Sequence, residues 1–176
     1  ALGRELSTVP QPLRPLLEQA VRDVEMAARA VGVSLTLVVP PDLPDVVADT
    51  PRLQGVLARI LDNALAHSPA GGRVTVKAEL QDATDRVGGT RCLRVSVWDQ
   101  GRGLSEEDAE RLLIPFARGD GAQGDGSGLG LTIARAVVRG HGGQLIVGSS
   151  PDGGGAVGFT VVAVRDVDGD PGEARA

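Results

Sequence analysis

A chain of 176 residues, 41% hydrophobic and 23% charged, is sized for one globular domain of about 150 residues with an appendage. No apolar run approaches the about 18 residues of a membrane span, and the opening ALGRELSTVP shows no basic, apolar or cleavage region of a secretory signal. The single Cys92 excludes an internal disulfide, and a net charge of -5 without a basic cluster speaks against a nucleic-acid binder. No glycine or hydroxyl residue frames the one lysine, Lys77, so there is no Walker A loop, and neither HRD nor DFG occurs.

Taken in chain order, Leu13, Leu16, Leu17, Ala20, Val21, Val24, Ala27, Ala28 and Val31 recur at helical spacing. They predict a helix over roughly 12–31, with Gly32 as its left-handed cap. Val33, Leu35, Leu37 and Val39 alternate with polar residues as a half-buried strand, and Val46 and Val47 suggest a short partner for it. Thr50 then supplies a capping hydroxyl and Pro51 a first helical residue for a helix reaching His67, striped by Leu53, Val56, Leu57, Ile60, Leu61 and Ala64. Alternation at 74–80 and 91–98, on either side of a polar stretch at 81–90, reads as a hairpin.

Ser105 and Asp108 resemble a capping box for a short helix ending near Leu113, and the glycine-rich 117–128 reads as a mobile loop. Leu129, Ile133, Ala136 and Val137 predict a helix stopped by Gly140. Strands at about 144–149 and 157–164 follow, joined by a PDGGG turn, and the tail from 166 reads as disordered. Because consecutive strands form hairpins, the order predicts an α+β fold. It is a two-layer sandwich with a mixed, mostly antiparallel sheet and helices on one face. The expected domain spans 13–165.

Chemistry has to be sought in placement, since 25 glycines make a bare GxG expected about three times by chance. Asn63 and His67 lie one turn apart at the edge of an apolar helix stripe. An amide oxygen there either ligates a hard cation such as Mg²⁺ or ties down a loop. His67 either faces a ligand or bonds the last helix carbonyls. Asp99 ends a strand and is followed by Gly101 and Gly103, so a carboxylate at the sheet rim either accepts from an exocyclic amine or shapes a turn. GSGLGL at 126–131 opens a helix, where free N–H groups and a positive dipole end suit phosphate. A linker running into a capped helix would look the same.

The ordered set LDNALAHSP at 61–69, DQGRGL at 99–104, IPFARG at 114–119 and GSGLGL at 126–131 resembles the N, G1, F and G2 boxes of the catalytic ATP-binding domain of bacterial sensor histidine kinases. That family shares a Bergerat-type fold with DNA gyrase, MutL and a heat-shock chaperone. The resemblance implies ATP and Mg²⁺ as cofactors, with Asn63 on the metal and Asp99 on the adenine amino group. Gly101 and Gly103 would lie by the base, and Gly126, Ser127, Gly128, Leu129 and Gly130 would form the phosphate cradle. His67 would line the pocket, and Arg118 would approach the terminal phosphate or the partner domain.

By the same resemblance, residues 1–12 end a linker from the dimerisation domain. The γ-phosphoryl acceptor would be a histidine in that domain, a response regulator would be engaged through it, and the isolated catalytic domain would be a cytoplasmic monomer, part of an inner-membrane kinase. The chain departs from the family pattern at Arg59, where a first Asn is frequent, and at Ala66, Leu113 and Ala117, and PDGGGAVGF matches the family's last glycine box only loosely. Two alternatives stand beside this reading: a degenerate nucleotide-binding interaction module, and an ATPase or serine kinase of the same superfamily. Hydrolases of that group carry a Glu where this chain has Arg59.

Overall fold

The computed structural model describes residues 6–81, 91–103 and 130–164. The polar stretch after 81, the expected short helix at 105–113, the loop at 117–128 and the tail lie outside them. Helix α1 (Leu13–Ala30) buries Leu13, Leu16, Leu17, Ala20, Val24 and Ala28, and Gly32 follows it at φ 71° as a left-handed cap. Ala27 and Val31, expected on the buried stripe, are exposed. Helix α2 (Thr50–His67) buries every apolar residue of its expected stripe, and Leu65 as well. Helix α3 (Gly130–Gly140) turns Leu131, Ala134 and Val138 inward, whereas Ile133 and Ala136 of the expected stripe are exposed and Val137 is half-buried. Two apolar rows compete on this helix, and the row led by Leu131 meets the core.

Strands β2 (Ser34–Val38), β4 (Arg73–Leu80), β5 (Cys92–Trp98), β6 (Leu145–Ser149) and β7 (Gly155–Val162) form one sheet in the order β2-β4-β5-β7-β6. Only β2 and β4 run parallel, so the sheet is mixed and mostly antiparallel, as expected. Val74, Val76 and Ala78 of β4, Leu93, Val95 and Val97 of β5, and Val157, Phe159 and Val161 of β7 share one core with the buried rows of all three helices. Strand alternation puts these side chains on a single face.

Two local expectations are corrected. Val46 and Val47 lie in β3 (Val46–Ala48), which pairs antiparallel with β1 (Val9–Gln11) and not with the strand before it. Part of the stretch expected to be linker is therefore tied into the domain. The cap of α2 is Asp49, whose Oδ1 accepts from Arg52 N–H at 3.2 Å, while the Thr50 hydroxyl instead donates to Gln11 Oε1. Asp49 takes the cap because its other groups are held too: Oδ2 accepts from Ser7 N–H at 3.1 Å, and its own N–H donates to His141 Nε2 at 3.0 Å.

His141 is buried at the end of α3, and its Nδ1 donates to the Val137 carbonyl at 2.8 Å. Both ring nitrogens are thus committed within the fold. The same bond fixes the relation of the helices: the end of α3 meets the start of α2 and the two pack side by side, so they run antiparallel. At about 1.5 Å per residue, the start of α3 lies about 16 Å from His141, level with the part of α2 about eleven residues beyond Asp49.

Candidate functional site

Asp99 stands one residue beyond β5 and continues its ladder, donating its N–H to the Gly155 carbonyl at 2.9 Å. The side chain is buried, with a relative exposure of 6%. Its Oδ1 accepts from the N–H groups of Gly101 at 2.8 Å and Gly155 at 2.9 Å. Oδ2 makes no hydrogen bond among the described residues, so one oxygen is fully occupied and its twin remains an acceptor. A carboxylate that merely shaped the turn would not need a second oxygen left unbonded on an otherwise buried residue. The arrangement suits a ligand that offers an N–H.

The turn between β6 and β7 builds the wall behind this carboxylate. Ser150 N–H donates to the Gly154 carbonyl at 2.7 Å and Gly153 N–H to the Ser150 carbonyl at 3.0 Å. A Cβ on Gly154 would stand 1.9 Å from the Asp99 carbonyl oxygen, and one on Gly155 would stand 2.6 Å from Asp99 Oδ2. Neither position admits a side chain without displacing Asp99. Gly154 and Gly155 are site residues that the sequence analysis did not single out. Their signals were the run of three glycines in PDGGG and its loose match to a glycine box, and the contact that gives them meaning spans 56 residues.

Gly101 and Gly103 have equally definite neighbours. A Cβ on Gly101 would lie 2.5 Å from the His67 carbonyl oxygen, so the end of α2 abuts the turn after Asp99. Gly103 has φ 76°, and its Cβ would lie 2.5 Å from the Gly153 carbonyl oxygen. The two glycines hold the turn between the end of α2 on one side and the β6–β7 turn on the other. His67 is exposed, and its Nδ1 donates to the Asn63 carbonyl at 2.7 Å, which matches the helix-end reading of that residue.

Asn63 is half-buried, one turn before His67. Its carboxamide makes no hydrogen bond among the described residues, so the loop-tying alternative finds no partner there. The described part of α3 begins at Gly130, and the antiparallel packing puts that end of the helix beside the Asn63 end of α2. The structure thus gathers Asn63, His67, Asp99, Gly101 and Gly103 around the ends of α2 and β5, with the Gly130 end of α3 beside Asn63. Arg118, Gly126, Ser127, Gly128 and Leu129 lie outside the described residues.

Comparison with known proteins agrees with this fold. Residues 48–165 fit the model of the histidine kinase-, DNA gyrase B-, and HSP90-like ATPase family, and the chain belongs to that family of ATP-binding domains. It is 39% identical over 135 residues to the adaptive-response sensory kinase SasA of Rippkaea orientalis, a match covering 75% of this chain and 33% of that protein. It is 35% identical over 154 residues to the histidine protein kinase DivJ of Caulobacter vibrioides, covering 86% and 24%. Among solved structures, full-length ShkA in complex with AMPPNP superposes with a TM-score of 0.77 at 29% identity, covering 93% of this chain and 34% of that one. The chain therefore spans about a quarter to a third of these relatives.

Proposed function

We propose that this chain is the catalytic domain of a sensor histidine kinase, binding Mg·ATP and passing its γ-phosphoryl group to a histidine of a separate dimerisation domain. The observation that carries the reading is Asp99: two backbone N–H groups anchor Oδ1, leaving Oδ2 to accept from the adenine amino group. Guanine presents a carbonyl at that place and would meet a carboxylate lone pair. Around the phosphates the chain's task is positioning, since phosphoryl transfer asks chiefly for alignment and charge stabilisation. The acceptor imidazole would attack the γ-phosphorus as the bond to the bridging oxygen breaks, and ADP leaves.

Neither histidine of this chain suits the acceptor role. Both nitrogens of His141 are bonded, and His67 is held at the end of α2 through Nδ1. The domain would work in the cytoplasm as a monomer, where a full kinase reaches its response regulator through the dimerisation domain. No helix among the described residues is long and apolar enough to cross a membrane.

The donor set fits Mg²⁺. Asn63 offers a neutral amide oxygen, and the described residues hold no cluster of three His, Cys, Asp or Glu. Such a site suits an ion that takes few protein ligands and completes its shell with phosphates and water. When bound, the ion would neutralise phosphate charge. Changing Asn63 to Ala should weaken ATP binding about tenfold in magnesium buffer and leave it unchanged in EDTA. Calorimetric titration in both buffers checks this, and an equal loss in each would remove the metal role from Asn63.

A further inference from the structure

The stretch that precedes α1 is tied to the entry of α2. Ser7 N–H donates to Asp49 Oδ2 at 3.1 Å, Gln11 Nε2 donates to the Ala48 carbonyl at 2.8 Å, and Gln11 Oε1 accepts from the Thr50 hydroxyl. Leu6 reaches the other helix. A Cβ on Gly140 would stand 2.9 Å from Leu6 Cδ1, so this side chain lies against the last residue of α3. Residues 6–11 therefore straddle the joint that the Asp49–His141 bond makes between α2 and α3.

The stretch is also lightly held. Strand β1 pairs only with β3, in a ribbon of two strands, and such ribbons are marginal on their own. Val46 and Ala48 root β3 in the core, whereas Ser7, Thr8, Val9 and Pro10 are exposed. Few buried groups and a short ladder are the marks of a segment that opens without the rest of its domain. Asp49 is where such an opening would be felt. Its Oδ1 caps α2, its Oδ2 holds Ser7 and lies 3.7 Å from Arg52 Nε, and its N–H donates to His141 at the end of α3.

We propose that residues 6–11 are a detachable strap, and that its docking on the joint of α2 and α3 favours nucleotide binding at the opposite end of α2. The proposal rests on the nucleotide reading of the site and adds a control point about 21 Å from Asn63 along that helix. Docked, the strap holds Asp49 and Gly140 together and so sets how the two helices lie side by side. A nucleotide held at Asn63 depends on the same arrangement. Because linkage is reciprocal, bound nucleotide then strengthens docking by the factor that docking strengthens nucleotide binding.

Hydrogen exchange, read by mass spectrometry on a peptide that includes residues 7–11, tests this in the unmodified chain. Saturating Mg·ATP should slow exchange there about fivefold, whereas a local opening that does not sense the site is indifferent to a ligand bound elsewhere. Asp49→Asn should speed exchange of this peptide about tenfold and remove most of the slowing by Mg·ATP. Asparagine still caps α2 with its one oxygen, but its amide nitrogen then faces the Ser7 N–H, donor against donor. Gln11→Ala loosens the other end of the strap and should speed exchange while keeping the slowing. Unchanged exchange in the parent chain while calorimetry shows Mg·ATP bound would overturn the proposal, and so would equal slowing in Asp49→Asn. Failure of the parent chain to bind Mg·ATP would instead overturn the nucleotide reading itself.

Discussion

Changing Asp99 to asparagine should lower ATP affinity about tenfold to a hundredfold and erode the preference for ATP over GTP. The sign follows from which oxygen is already used. Gly101 and Gly155 both donate to Oδ1, so the asparagine oxygen has to stay there and the amide nitrogen takes the place of Oδ2. That nitrogen donates where the adenine amino group also donates, whereas the guanine carbonyl would now be accepted. The fold should tolerate the change, because both backbone N–H groups keep their acceptor. Paired titrations with Mg·ATP and Mg·GTP check the result, and an unchanged ratio of affinities would show that Asp99 does not read the base.

The second large effect is expected at Gly154. Its substitution by alanine puts a methyl group 1.9 Å from the Asp99 carbonyl oxygen, and the obstacle is backbone, which no rotamer change can clear. Overpacking of this kind costs about 1–3 kcal/mol, and the rigid obstacle places Gly154→Ala at the upper end, about 3 kcal/mol. Relief requires the β6–β7 turn to separate from the turn after β5, so ATP affinity should fall with stability. Gly148→Ala is the matching control. It lies in β6 with nothing within 4 Å of its Cβ and should change stability by less than about 0.5 kcal/mol. Urea midpoints for the two variants measure the contrast, and equal stability would mean that the Gly154 contact is not a constraint.

Much of the architecture was legible because its signals are long and local. The stripe from Leu53 to Ala64 has only one helical face to bury, and the alternation through Val74, Val76 and Ala78 has only one strand face. What escaped depends on partners far along the chain. Three residues cannot announce β1, whose pairing with β3 links Val9 to Ala48. The cap of α2 passed from Thr50 to Asp49 because Ser7 and His141 hold Asp49 in place.

In the site, Asp99 was readable as a carboxylate at a strand end, but the division of labour between its two oxygens was not. That division depends on the Gly155 N–H of a strand 56 residues away.

The central claim is that this chain binds ATP and delivers its γ-phosphoryl group to a histidine it does not itself contain. Incubating the chain with γ-labelled ATP and Mg²⁺, alone and with the parent kinase's dimerisation domain on a separate chain, tests it directly. The account predicts no label on these 176 residues in either reaction and acid-labile label on the added domain. Stoichiometric acid-labile label on this chain alone, or none on the added domain while ATP is bound, would contradict it.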